Sequence, residues 1–252
     1  MIKIILCALN EAQNLETLLP NINREMQKID RDYEIIICLD ASNDNSEKII
    51  LAQKNSYPIR ILDFLAQKGL GNAYKRVFLE IIKTANPNDI AISLDADNTH
   101  NPNQITQIIS YFEKNSLDIL IVSRFCKDSK INGFPLYRFF ISKTTSILLQ
   151  FFFNIKKISG RKVKDYSSGY RAYKIKKLQE LYKKYGENFI LEKNFIYTCE
   201  ILLKMSKIDA KIDEIALNYD YGRKIGKSKL KIIQNLWSLL KLIVRNTYTI
   251  SH

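Results

Sequence analysis

The chain has 252 residues, 46% hydrophobic and 26% charged, enough for one large α/β domain and without a low-complexity tract or internal repeat. Its four cysteines are scattered and it has only two histidines, which argues against a disulfide framework and a zinc site. The net charge of +13 is uneven: residues 1–123 carry 12 Lys+Arg against 16 Asp+Glu, and residues 124–252 carry 27 against 10. The second half is therefore expected either to face something anionic or to present a Lys-rich solvated surface.

From the N-terminus, residues 3–8 read as a buried strand and 16–29 as a helix with apolar Leu18, Leu19, Ile22, Met26 and Ile29 on one face. A strand over 34–39 ends at Asp40, followed by a helix over 46–54 and a strand over 59–64. Helix 71–84, strand 90–94, helix 102–114 and strand 118–123 complete this half. Such alternation predicts parallel β-α-β units and an open sheet, whose ligands bind beyond the carboxyl ends of the strands. The second half is less regular. It reads as a Phe-rich helix over 138–153, a polar loop and short strand over 160–173, helices over 178–185 and 193–205, and a strand over 211–217. A basic loop over 221–228 and a helix over 229–245 follow. No basic-then-apolar leader is read before the first strand. The longest strongly apolar uncharged stretch, between Lys143 and Lys156, falls short of the roughly 18–20 residues that span a bilayer. The chain thus reads as cytoplasmic, soluble or peripheral on the inner face of a membrane. It divides into a domain over 1–229, with a first half over 1–123 and a second over 124–229, and an amphipathic helix over 230–252.

The most informative segment is IAISLDADNTH, residues 90–100. Asp95 and Asp97 stand two apart where a strand ends, so both carboxylates face one spot. A hard cation such as Mg²⁺ or Mn²⁺ would relieve their repulsion and bridge phosphate oxygens; a plain strand-end turn is the competing reading. Asp40 ends another strand and suits a base or ribose hydroxyl or, equally, a local cap; Ser42 and Asp44 are expected to cap the next helix. Lys68-Gly69-Leu70-Gly71 opens a helix, either cradling phosphate or simply turning. The segment 165–173, DYSSGYRAY, suits substrate contact or a loop held by tyrosine hydroxyls. The basic segment YGRKIGKSKL is either a closing phosphate clamp or a solvated charge run.

In this order, LNE at 9–11, DASNDNS at 40–46, KGLGNA at 68–73 and LDADNTHNP at 94–102 resemble the family 2 glycosyltransferases of GT-A fold. VSRF at 122–125, the spacing of Arg138 and Ser142, VKDYSSGYRAYK at 163–174 and RKIGKSKL at 223–230 look like the dolichyl- or polyprenyl-phosphate sugar (mannose) synthase branch. The resemblance implies an α/β fold: an open, mostly parallel Rossmann-like sheet flanked by helices, with a helical C-terminal tail. It implies that Glu11 and Asp40 hold the nucleoside, within a nucleotide-sugar site that includes Asn10, Lys68, Gly71 and Ala96. Asp95 and Asp97 would hold Mg²⁺ or Mn²⁺ and the donor diphosphate. Arg124, Arg138 and Arg171 would meet the acceptor phosphate or donor sugar, and Arg223 and Lys229 would close over the phosphates. Four positions depart from the family pattern: Cys7 and Leu9 replace the usual Pro and Tyr, Leu39 replaces an Asp, and Thr99 replaces a better metal ligand.

The resemblance implies transfer of a sugar, with inversion, from a GDP- or UDP-linked donor to a lipid phosphate, which is already ionised and needs no base. One alternative is transfer to a glycan hydroxyl, with Asp165 as base and Glu200 behind it. Another is a non-enzymatic basic membrane-binding protein on a degenerate scaffold. Nucleic acid is not expected, since no recognition motif accompanies the basic residues. The helix over 138–153 and the tail, through Leu236, Trp237, Leu239, Leu240 and Ile243 with Lys231, Lys241 and Arg245, are expected to lie in an anionic membrane interface, or else to pack on the domain or on a second subunit as a homodimer.

Overall fold

The computed structural model describes residues 1–64, 69–226 and 231–248. The predicted alternation appears as β1 (Ile2–Ala8), α1 (Ala12–Met26), β2 (Tyr33–Asp40), α2 (Ser46–Lys54), β3 (Ile59–Phe64), α3 (Leu70–Thr84), β4 (Ile90–Ser93), α4 (Ile105–Lys114) and β5 (Ile119–Ser123). Pro102–Gln104, expected as part of α4, is a separate 3-10 turn whose start is capped by the Asn101 side chain. Then come β6 (Lys130–Asn132), α5 (Leu136–Phe152), β7 (Arg171–Lys174), α6 (Ile175–Tyr185), α7 (Tyr197–Ser206), β8 (Ile212–Ala216), β9 (Asn218–Asp220) and α8 (Ile232–Tyr248).

Seven strands form one sheet in the order β3-β2-β1-β4-β7-β5-β8, and β6 and β9 make a small parallel pair beside it. The strands alternate faces with period two, as a sheet covered on both sides requires. Ile4, Leu6, Ile35, Ile37 and Ile92 join α1 and α4 on one side. Ile5, Cys7, Ile36, Cys38 and Ala91 join α3, α6 and α7 on the other. Leu239, Leu242 and Ile243 of α8 belong to this second cluster, so the tail helix packs into the same core.

The antiparallel strand β7 lies between β4 and β5. Hydrophobic pattern alone does not announce this, because four residues carry no register signal. Its consequence is direct. The start of β7 lies at the same sheet edge as the ends of β1, β2, β4, β5 and β8, so the loop 163–170 joins the loops that follow those strands.

That loop is held by buried charges. Asp165 is fully buried and accepts from Arg124 Nε (2.8 Å), Arg124 Nη2 (2.6 Å) and the backbone N–H groups of Arg124, Ser167 and Ser168. Burial alone would raise the Asp165 pKa, but the Arg124 guanidinium outweighs it and holds the carboxyl below its ordinary range. One turn away, Glu214 of β8 accepts from the backbone N–H groups of Lys164 (3.0 Å) and Asp165 (2.7 Å). Arg171 is also fully buried. Its Nη1 donates to the Thr198 carbonyl (2.6 Å) and its Nη2 to the Tyr166 carbonyl (2.7 Å). It therefore ties β7 to α7, a structural place that differs from the contact expected of it. Asp165 is corrected too: a carboxylate so enclosed and so paired is not available as a general base.

Replacing Asp165 by Asn should cost about 3–5 kcal/mol in urea denaturation at pH 7, because it leaves Arg124 buried without its partner. The depressed folded pKa sets the pH window: the advantage of the wild type is fully present above the unfolded pKa, about 3.9, and fades only as pH falls through the lower folded value. Denaturation of both proteins between pH 7 and 3 should show a constant gap that narrows only at the acid end.

Candidate functional site

At the sheet edge three non-glycine residues adopt positive φ, Asn10 (53°), Ala41 (52°) and Asn98 (63°), one after each of β1, β2 and β4. Such conformations are uncommon and concentrate where a chain must turn sharply at a functional edge. The first two loops are stapled together. The Asn10 N–H donates to Ser42 Oγ (2.9 Å), and Asn10 Oδ1 accepts the Asn43 N–H (2.8 Å). Ser42 therefore braces the neighbouring loop and does not cap α2. Asp44 serves two helices, accepting the Ser46 N–H (3.0 Å) and the Ala12 N–H (3.1 Å). Asn10, expected among the nucleotide contacts, has its side chain in this staple and does not line the cavity described below.

That cavity, about 420 Å³, opens at the ends of β1, β2 and β4, a volume suited to a small-molecule ligand. Glu11, Asp40, Asp95, Ala96, Asp97, Arg138 and Lys224 line it. Glu11 Oε2 accepts from Asn14 Nδ2 (2.6 Å). Both Asp40 oxygens accept the Gly69 N–H (3.1 and 2.9 Å), which places a carboxylate at the start of α3. Gly71 has a different role from the one expected. Its N–H donates to the Lys193 carbonyl (3.0 Å), and a Cβ there would stand 2.0 Å from the Glu192 carbonyl oxygen. The glycine is required by close backbone packing and lies outside the cavity lining. Leu39 is buried in the core, while Cys7 and Leu9 line the cavity. Lys68 and Lys229 lie outside the described residues.

Asp95 and Asp97 project from the segment after β4. Burial raises the Asp95 pKa, against the opposing pull of His100. Burial would also raise that of Asp97, but the Lys224 ammonium, 2.5 Å from Asp97 Oδ2, holds it low. Asp97 Oδ1 accepts from Thr99 Oγ1 (2.6 Å), so Thr99 orients the carboxylate. His100 Nδ1 accepts the Asp95 backbone N–H (3.0 Å), which leaves the ring proton on Nε2, 3.8 Å from Asp95 Oδ2. Gly169 keeps room for this carboxylate, since a Cβ there would lie 3.2 Å from Asp95 Oδ1. Among the described residues no group of three or more His, Cys, Asp or Glu forms a metal cage. Two convergent carboxylates with a cation already against one of them nonetheless match the oxygen chemistry of Mg²⁺ or Mn²⁺ bound jointly with phosphate.

Beyond Asp95 a narrower slot, about 70 Å³, runs between α5 and α8. Arg124, Arg138, Ser142 and Ser167 give it polar groups, and Ile141, Leu236 and Leu239 give it apolar walls. Arg124 is committed to Asp165 but also donates to Ser142 Oγ (2.9 Å) and Ser167 Oγ (2.7 Å). Arg138 lines both cavities, with its guanidinium 5.4 Å from the Phe134 ring centroid and 5.9 Å from that of Tyr221. Arg223 donates to Asn98 Oδ1 (3.1 Å), whereas Lys224, which the sequence reading did not single out, reaches Asp97. In a run of cations the spacing does not tell which one turns inward. Glu200, the second candidate base, is buried against Lys204 (2.7 Å) and Arg245 (3.0 Å), away from both cavities.

The family model described as glycosyl transferase family 2 matches residues 3–182. The dolichol-phosphate mannosyltransferase of Pyrococcus furiosus is 31% identical over 230 residues, covering 91% of this chain and 59% of that protein. The undecaprenyl-phosphate 4-deoxy-4-formamido-L-arabinose transferase of Yersinia enterocolitica is 25% identical over 175 residues, covering 69% of this chain and 48% of the relative. The chain thus spans about half to three fifths of these relatives. In fold it is similar to the glucosyl-3-phosphoglycerate synthase of Mycobacterium tuberculosis, solved with Mn²⁺, UDP-glucose and phosphoglyceric acid. The TM-score is 0.65 and the identity 16%, over 96% of this chain and 79% of that one. The sheet is that of the GT-A glycosyltransferases, and the chain belongs to glycosyl transferase family 2.

Proposed function

We propose that the protein transfers a sugar, with inversion, from a GDP- or UDP-linked donor to a polyprenyl phosphate at a membrane surface. The reading rests on one observation above others: Arg138 and Asp95 stand where the strand-end cavity meets a slot that has cationic and hydroxyl groups on one part of its lining and apolar walls on another. Asp95 is the single carboxylate lining that slot, and Asp165 beside it is neutralised by Arg124. A sugar hydroxyl needs a base at this point; a phosphate is already ionised and needs only to be oriented in line with the anomeric carbon. Arg138 would orient it, and Glu11 and Asp40 would hold the nucleoside. Asp95 and Asp97 would hold Mg²⁺ or Mn²⁺, which when bound neutralises the charge of the departing diphosphate. In P. furiosus the named relative is a dolichol-phosphate mannosyltransferase, which supports a lipid phosphate as acceptor.

The same site carries the membrane part of the reading. Among the described residues no helix is long and apolar enough to cross a membrane. Yet α5 exposes Leu136, Phe140, Ile147 and Phe151 (82%), and α8, packed against it, exposes Ile233 (74%), Trp237 (63%) and Leu240. Residues 129–164 contain eight Lys or Arg and no Asp or Glu, and no acidic residue follows Asp220. Apolar side chains beside segments this rich in cations suit an anionic bilayer interface. The tail divides differently from the expectation: Leu239 and Ile243 are in the core, and Arg245 is held by Glu192 and Glu200. Lys231 and Lys241 remain for headgroups.

Calorimetric titration with UDP and GDP should show one of them binding in the presence of Mn²⁺, and at least about tenfold more weakly, equivalent to about 1.4 kcal/mol, in Asp97→Ala. With that nucleotide's sugar as donor, Arg138→Ala should lower kcat/KM for a short-chain prenyl phosphate by about 100-fold, or about 2.7 kcal/mol, and leave nucleotide affinity unchanged. Turnover with a glycan hydroxyl but not with prenyl phosphate would sink the reading. Trp237 is the only tryptophan, so its emission reports docking directly. It should shift to the blue with phosphatidylglycerol vesicles, do so far less with phosphatidylcholine, and lose the response at high salt.

A further inference from the structure

The segment 220–226 crosses the strand-end cavity and is pinned on both sides of Lys224. Arg223 Nη2 donates to Asn98 Oδ1 (3.1 Å). The Ile225 N–H donates to Asn14 Oδ1 (3.0 Å), and Asn14 Nδ2 donates back to the Ile225 carbonyl (3.0 Å) and to Glu11 (2.6 Å). Between these anchors the Lys224 side chain, 7% exposed, points into the cavity and ends on Asp97 Oδ2. The other oxygen, Oδ1, accepts from the Thr99 hydroxyl. A divalent cation seeking Asp97 therefore meets a carboxylate with an ammonium on one oxygen and a hydroxyl on the other.

We propose that Lys224 is a displaceable counter-ion of Asp97 that makes metal binding depend on the nucleoside diphosphate. The inference rests on the metal–diphosphate reading above and extends it. A Lys ammonium is a point charge on a flexible four-carbon stem, so it can leave Asp97 by side-chain rotation while the pinned backbone stays in place. On leaving, it stays in a cavity that also holds Arg138. A metal ion arriving alone forfeits the Asp97–ammonium pair without replacing it, whereas a metal ion with a diphosphate supplies anionic oxygens that the freed ammonium can meet. Each ligand then strengthens the other's binding by the same factor. Lys224 is a positioning residue in this scheme.

The test measures free Mn²⁺ by electron paramagnetic resonance, without and with UDP or GDP, for the full chain, Lys224→Gln, Lys224→Arg and Asp97→Asn. Lys224→Gln should bind Mn²⁺ alone about tenfold more tightly than wild type, and the enhancement of Mn²⁺ binding by nucleotide should shrink by a similar factor. Lys224→Arg, which keeps the charge, should resemble wild type. Unchanged or weaker Mn²⁺ binding in Lys224→Gln, with Asp97→Asn abolishing it, overturns the counter-ion role alone. If Asp97→Asn leaves wild-type Mn²⁺ binding untouched, the metal reading itself fails and the counter-ion role with it. Should Lys224→Gln not fold, the wild type answers by itself: acylation of Lys224 by acetic anhydride, followed by mass spectrometry, should accelerate at saturating Mn²⁺ alone, which frees the ammonium without giving it a diphosphate, and an unaltered rate at saturation overturns the proposal.

Discussion

Asp95 and Asp97 sit two residues apart just beyond β4, in a half-enclosed space where their carboxylates repel, and the surrounding chain is arranged around that repulsion. Cations approach it from separate parts of the fold: Lys224 from the segment after β9, Arg138 from α5 and, when protonated, His100 from the next turn. Tyr170 stacks on His100 at 4.9 Å and fixes the ring that receives the Asp95 N–H. None of these groups closes the carboxylates into a finished cage, so the edge can still accept a cation and an anion together.

Asp165 is the instructive contrast. It lies at the same sheet edge and is as acidic in composition, but it is enclosed by an arginine fork and three backbone N–H groups. A bidentate Arg–carboxylate pair in a buried place is rigid and costly to break, so it serves as a strut. Asp97 is paired with a lysine on a flexible stem instead. The same residue type is held by a rigid fork in one case and by a single cation on a flexible stem in the other, and the partner's geometry makes the difference.

The apolar faces of α5 and α8 follow from the same edge. Both helices flank the slot that starts at Asp95, with inner residues such as Leu149, Leu239 and Leu242 in the core and outer ones such as Phe151 and Ile233 exposed. A helix apolar on two sides is stable when one side meets the core and the other meets an apolar medium. The slot therefore has its polar end at Asp95, and its apolar walls come from the helices that carry the exposed faces.

The order of strands and helices through residue 123 was legible in the sequence, because β-branched runs, helical spacing and turn residues are local signals. So was the gathering of Glu11, Asp40, Asp95 and Asp97, since the ends of parallel strands share one edge of a sheet. The motif order also identified the family. What the sequence did not disclose were long-range choices made by packing. The insertion of the antiparallel β7 decided that loop 163–170 joins the site; the burial of Arg171 and the pairing of Asp165 with Arg124 left both outside the cavity linings. Gly71 proved to answer to the backbone at 192–193. Lys224, not Arg223, turned inward, because neighbouring side chains on one segment point apart and only the anchors at Asn14 and Asn98 set which one faces Asp97. Residue type and spacing determined which charges this protein has at its sheet edge; tertiary packing decided which are already neutralised and which remain open to a ligand, because an ion pair depends on distances that the order of residues does not contain.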